Sequence, residues 1–136
     1  MPDCIFCKII NKEIPCFKIY EDEHVLAFLD ISPVAEDHFL IIPKKHAQKF
    51  HELSDEAATH LFLAAKKIIT KLGLEEYNLL QNNGAAAGQV VNHVHLHILK
   101  RNCGEKLHVE WIKMQPEKSM ESLKKRAEEM SEMINN

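Results

Sequence analysis

His93-Val94-His95-Leu96-His97-Ile98-Leu99 alternates three histidines with three aliphatic residues before it ends at Leu99. Successive side chains of a β-strand point to opposite faces. Read as a strand, the stretch places His93, His95 and His97 on one face and Val94, Leu96 and Ile98 on the other. Same-face positions lie about 6.5–7 Å apart. Imidazoles at that spacing suit a metal ion, or a phosphate and a proton at neutral pH. Gln89 and a glycine-containing turn lead directly into the strand, which suits a phosphate approaching the backbone. The alternatives are a half-buried strand whose polar face is histidine-rich, and a surface metal site without chemistry.

The neighbouring segments supply the rest of a sheet. Residues 89–100 form the histidine strand, residues 82–88 (NNGAAAG) a loop, and Tyr77–Gln81 another strand. The apolar run His38–Pro43 (HFLIIP) reads as a central strand. Phe17–Glu21 and His24–Asp30 read as a hairpin about Asp22-Glu23, and Ser32-Pro33 breaks the chain. Residues 5–12 read as a short helix ending before Ile14-Pro15. Ser54-Asp55-Glu56 opens a longer helix, with Ser54 as N-cap, acids in the first turn and Gly73 just past the end. Its apolar stripe is Ala58, Leu61, Ala65, Ile68, Ile69 and Leu72. After Pro116 a second long helix repeats Met120, Leu123, Ala127, Met130 and Ile134 at spacings of three and four. That stripe reads as a packing surface, within the subunit or against a partner subunit. Strands in the middle and helices flanking them predict an α+β fold with a mostly antiparallel sheet.

The chain has 136 residues, 46% hydrophobic and 27% charged, which predicts one soluble domain over 1–136. A net charge of −3 gives no basic field to hold nucleic acid. No stretch reaches the length of a membrane span. The start, Met-Pro-Asp-Cys, lacks a basic segment followed by an apolar one, so it does not read as a secretory signal. The expected location is cytoplasmic, or nuclear. There the four cysteines serve as metal ligands or free thiols and not as disulfides.

Cys4-x-x-Cys7 is half of a zinc site, and no second Cys-x-x-Cys completes it. The remaining ligands must then be histidines distant in sequence, and His46 and His93 are the best candidates. His24, His38, His51, His60 and His108 read as solvated turn, strand-end or helix-surface residues. A closed Cys₂His₂ set would be structural. A thioredoxin-like redox pair is disfavoured because Cys4 and Cys7 precede the first strand instead of following one. Cys16 and Cys103 read as unligated thiols.

Several segments together resemble the histidine triad (HIT) superfamily. They are Ile5-Phe6-Cys7-Lys8-Ile9-Ile10, Lys12-Glu13-Ile14-Pro15, Ala27-Phe28, Asp30-Ile31-Ser32-Pro33, His38–His46, Asn82, Gly88-Gln89 and the triad. The likeness is greatest to the Hint branch of nucleoside phosphoramidases. It covers a core of about residues 4–103 and leaves a helical extension of about 104–136. The resemblance implies a HIT-like fold: a five-stranded antiparallel sheet with flanking helices, joined into a ten-stranded sheet in a homodimer. It implies binding of purine nucleoside monophosphates and hydrolysis of phosphoramidates or phosphoanhydrides at the α-phosphate. It implies structural zinc on Cys4, Cys7, His46 and His93, in agreement with the ligand chemistry above.

Carried over by position, His95 is the nucleophile and His97 contacts the phosphate. Asp30 accepts the ribose hydroxyls, Phe28 and Ile31 line the base pocket with Phe6 and Ile9 nearby, and Asn82 with the backbone around Gly88, Gln89 and Val90 holds the phosphate. Asp30 could instead simply cap the turn before Pro33. Many Hint proteins have a serine that assists the leaving amine where this chain has Val90, which cannot donate a proton. From about Asn102 onward the chain resembles the longer helical tails of other HIT members, which can reach a partner's active site.

Neutral imidazole is a good nucleophile and, once protonated, a good leaving group, so a nucleotidyl-histidine intermediate on His95 is expected. No carboxylate cluster beside the triad demands Mg²⁺. Two other readings are a dinucleoside polyphosphate hydrolase and a non-catalytic zinc- and nucleotide-binding interaction protein. The zinc half-site speaks against the former, and the retained middle histidine against the latter.

Overall fold

A computed structural model describes residues 3–105 and 115–136. His108 lies outside them. By their internal contacts the residues group into two units, Met1–Glu105 and Lys106–Asn136. In the first, helix α1 (Ile5–Ile10) precedes strands β1 (Lys18–Glu21), β2 (Val25–Leu29) and β3 (Phe39–Pro43). Helix α2 (Asp55–Leu72), β4 (Tyr77–Gln81) and β5 (Leu96–Lys100) follow. The strands form one five-stranded sheet in the order β1-β2-β3-β5-β4, and every neighbouring pair is antiparallel. This is the expected five-stranded antiparallel sheet with helices beside it.

The alternation of side chains sorts the core into two layers. Val25, Ala27, Phe39, Ile41, Val94, Leu96 and Ile98 pack with Leu61, Ala64, Ala65, Ile68 and Ile69 of α2. Leu26, Phe28, Leu40 and Ile42, on the opposite face, pack with Phe6 of α1. With both faces covered, β2 and β3 are apolar almost throughout, which is why HFLIIP reads as an unbroken run. Helix α2 keeps the expected ends. The Ser54 hydroxyl accepts from the Ala57 N–H, and Gly73 closes the helix at φ 67°, a left-handed conformation that glycine adopts without a Cβ clash. Of its expected stripe, Leu72 is exposed and Ala58 half-buried.

The histidine segment departs from the expected strand. Regular pairing begins only at Leu96, so His93 and His95 precede β5. The His93 N–H turns back to the Val91 carbonyl, and the Val94 N–H goes to Ala47 in the loop after β3. The segment still alternates: Val94 faces α2, while Phe6 of α1 meets His93 and His95 edge-on with ring centroids 5.9 and 5.2 Å away. In the second unit, helix α3 (Met120–Asn135) is capped by Ser119, and Met120, Leu123, Met130 and Ile134 are exposed.

Candidate active site and metal centre

The first turn of α1 shapes the cysteine pair. Cys4 is the N-cap, and its Sγ accepts from the Cys7 N–H at 3.4 Å, so both sulfurs lie on one side of the turn. His46 follows β3 and His93 precedes β5. The two strands are neighbours, which brings both rings to the sulfurs. Cys4 Sγ lies 3.4 Å from His93 Nδ1, Cys7 Sγ 3.4 Å from His46 Nδ1 and 3.6 Å from His93 Nδ1, and the two Nδ1 atoms 3.1 Å apart. Four donors at about 2.0–2.3 Å from one tetrahedral ion have edges of roughly 3.3–3.8 Å. The residues therefore fit zinc by donor type and spacing. The outer ring nitrogen of His93 fits as well. Its Nε2–H donates to the Pro43 carbonyl at 2.8 Å, which leaves the Nδ1 lone pair facing the sulfurs. Burial, and then Cys4, push the Cys7 thiol up, and a cation is the group that displaces such a proton.

On the same face of the sheet lies a cavity of about 560 Å³, a size ordinary for small-ligand sites. Phe6, Ile9, Phe28, Asp30, Ile31, Asn82, Gly88, Val90, His95 and His97 line it, among the residues expected to meet a nucleotide. Gln89 does not. Its side chain turns inward, with Nε2–H groups donating to Gln48 and Val91 carbonyls and Oε1 accepting from the Gly84 N–H. Gln89 thus shapes the loop 82–91 from behind, leaving only its backbone for a phosphate. Gly88 has φ 90°, a backbone conformation that glycine adopts without strain.

Two chains of hydrogen bonds set the histidine tautomers. The Nδ1–H of His95 donates to its own chain, at the His93 carbonyl 2.7 Å away, so Nε2 keeps its lone pair. The second chain starts from the backbone of the turn before β3. Val34 N–H donates to His38 Nδ1 at 3.2 Å, so His38 carries its proton on Nε2 and donates to His97 Nδ1 at 2.9 Å. His97 then carries its own proton on Nε2. The His95 and His97 rings lie 4.9 Å apart. Desolvation by burial lowers the pKa of His95, outweighing its carbonyl bond and the Asp30 charge. Burial, with the neighbouring His95 and His38, brings His97 down to about 4. Both rings are therefore neutral at pH 7, one a lone-pair donor and the other a proton donor.

His38 corrects the expectation of a solvated strand-end residue. It is buried, lines the cavity and sits 3.6 Å from Asp30 Oδ2. The usable signal was period two, since His38 shares a face with Leu40 and Ile42, both buried on the α1 side. Asp30 caps the turn, with Oδ1 accepting from the Ser32 N–H, and it also lines the cavity. Cys16 is a further lining residue that sequence spacing did not indicate. His24 and His60, expected to be separately solvated, instead stack on each other on the α2 side of the sheet.

The chain is 52% identical over 98 residues to the adenosine 5'-monophosphoramidase of Schizosaccharomyces pombe, covering 72% of this chain and 74% of that protein. It is 45% identical over 103 residues to an adenylylsulfatase of Arabidopsis thaliana, covering 73% of this chain and 52% of that protein. The crystal structure of a histidine triad nucleotide-binding protein from Candida albicans superposes with a TM-score of 0.86 at 40% identity, covering 98% of each chain. The HIT domain family matches residues 11–104. That match starts at the residue capping α1 and runs past β5, taking in the whole sheet, and so the chain belongs to the HIT domain family.

Proposed function

We propose that this protein is a nucleotidyl hydrolase that acts at the α-phosphate of purine nucleoside phosphoramidates and related phosphoanhydrides. The single observation that carries the mechanism is the locked His95 ring: Nδ1–H is held by the His93 carbonyl, so Nε2 is free in the cavity. The names of the fungal phosphoramidase and the plant adenylylsulfatase support the reaction class.

Nε2 of His95 attacks the α-phosphorus in line, and the bond to the leaving group breaks with its electron pair on that group. A nitrogen leaving group also takes a proton from solvent, and the water of the second step returns one to solvent. Water then attacks the nucleotidyl-histidine, the P–N bond breaks, and nucleoside monophosphate is released as His95 regains its lone pair. The Nε2–H of His97, oriented through His38, donates to the phosphate oxygens with Asn82 and the backbone around Gly88–Val90. Phe6, Ile9, Phe28 and Ile31 supply an apolar wall for the base, and Asp30 accepts the ribose hydroxyls. Cys4, Cys7, His46 and His93 hold zinc, which with all four positions filled by protein would act as a structural cross-link. Exposed Tyr77, Leu79 and Leu80 on the sheet-edge strand β4 support a homodimer joined there into a ten-stranded sheet. A reducing compartment such as the cytoplasm suits the thiols. Among the described residues no helix is long and apolar enough to cross a membrane.

The test is AMP release from adenosine 5′-phosphoramidate and from adenylyl sulfate by the wild type and by His95→Ala. Turnover of either substrate that disappears in the variant is expected. AMP binding with no turnover of either substrate would refute the enzymatic reading and leave a nucleotide-binding module.

A further inference from the structure

We propose that His24, Glu56 and His60 form a separate surface site for a borderline divalent transition-metal ion, which pins the β1–β2 turn to α2. The site lies on the α2 side of the sheet, away from the cavity. A ligating atom of each residue lies within 4.8 Å of those of the other two. Glu56 and His60 are four residues apart on α2, so they share a helix face, with Oε1 and Nε2 4.0 Å apart. His24 comes from the turn, and its ring stacks on His60 with centroids 3.5 Å apart and planes 6° from parallel.

Both backbones are fixed, which favours a built site over a chance encounter. The Asp22 carboxylate accepts from the N–H groups of His24 and Val25 at 2.7 and 2.8 Å, and the His24 carbonyl accepts from the Lys44 N–H. On the other side, α2 is capped by Ser54 and anchored by buried Leu61. Two imidazoles and one carboxylate form a donor set for zinc, nickel or copper, whereas magnesium and calcium prefer oxygen ligands alone. Parallel rings hold their lone pairs in separate planes, so coordination turns the two rings out of the stack by side-chain rotation. Glu56 is exposed and both histidines are half-buried, so an ion enters from solvent and water completes its shell.

The test is calorimetric titration with Ni²⁺ of the full chain, first loaded with one equivalent of zinc per chain for the Cys4 cluster and desalted. The wild type should take up one further ion per chain. His24→Ala and His60→Ala should each weaken that binding about tenfold or more, with Glu56→Gln weakening it less and His51→Ala leaving it unchanged. AMP release by all four variants should match the wild type. His60→Gln, which keeps a polar side chain at the same place, serves if the alanine variant folds poorly. Absence of further Ni²⁺ uptake, or uptake equal in wild type, His24→Ala and His60→Ala, would overturn the proposal. Nickel entering the Cys4 cluster would survive both histidine substitutions, so it counts as the second of these results.

Discussion

At the scale of single residues, the reactive difference between His95 and His97 is a matter of hydrogen-bond partners. Both are imidazoles held neutral by burial. One donates to a backbone carbonyl and keeps its outer lone pair, and the other accepts from His38 and keeps its outer proton. His38→Phe should therefore lower turnover more than AMP binding, because His97 loses the partner that fixes its tautomer. A steady-state comparison of kcat and KM checks this, and equal loss in both would contradict the relay. Val90 is 90% exposed at the cavity rim and has no proton to give. A departing amine needs one, while sulfate does not. Val90→Ser should raise phosphoramidate turnover about tenfold or more and leave adenylyl sulfate turnover within about twofold. A parallel assay of the two substrates decides it. His38 itself shows the limit of reading residues singly: as a lone histidine before an apolar run it resembles many solvated ones, and its period-two register with buried Leu40 and Ile42 is what distinguishes it.

At the scale of elements, the loop between β4 and β5 is held from inside by one side chain. Gln89 is buried and makes three hydrogen bonds to backbone groups at Gln48, Gly84 and Val91. Gln89→Ala removes the bonds to the Gln48 carbonyl and the Gly84 N–H, while the Val91 carbonyl keeps the His93 N–H, and should cost about 1–3 kcal/mol in urea unfolding. Its KM for nucleotide should rise as the phosphate loop loosens, and Gln89→Glu should restore little, since it lacks the two N–H donors. Helix α1, only six residues long, rests on Phe6 and on the cysteine cluster. Zinc at a hundredfold excess over its Kd should add about 2.7 kcal/mol to stability. Thermal melts with and without chelator should show that gap in the wild type and not in Cys4→Ser. The elements were largely legible in sequence, β4 to the residue, because period two, period 3.6 and the Ser54 and Gly73 caps are local signals. The start of β5 was not, because the His93 and Val94 N–H groups are taken by a turn and by the loop after β3.

At the scale of the whole molecule, buried histidines make stability depend on pH. His97 titrates at about 4 in the fold against 6.5 ordinarily. Between those values the unfolded chain binds more protons than the folded one, so stability falls as pH drops from about 6.5 to about 4, and His97 adds no further slope below. Urea midpoints measured from about pH 7 to about pH 4 should fall less steeply in His97→Gln than in the wild type. An unchanged slope would mean that His97 is not held neutral by the fold. The exposed apolar edge at β4 also belongs to this scale. The homodimer proposed at this edge should sediment at equilibrium with twice the mass of the chain in the wild type and with the mass of one chain in Leu79→Lys.

By itself the sequence determined the fold class, the order of the elements, the alternating histidine row and the cysteine half-site. Each is set by residues close together in the chain, where periodicity and capping act. Only the tertiary structure decided what those groups meet. It brought His46 and His93 to the cysteines through the adjacency of β3 and β5, hid Gln89 behind its loop, moved His38 into the cavity and stacked His24 on His60. Such pairings join residues tens of positions apart, and strand order and helix packing select them, for which no local pattern in the chain carries a signal.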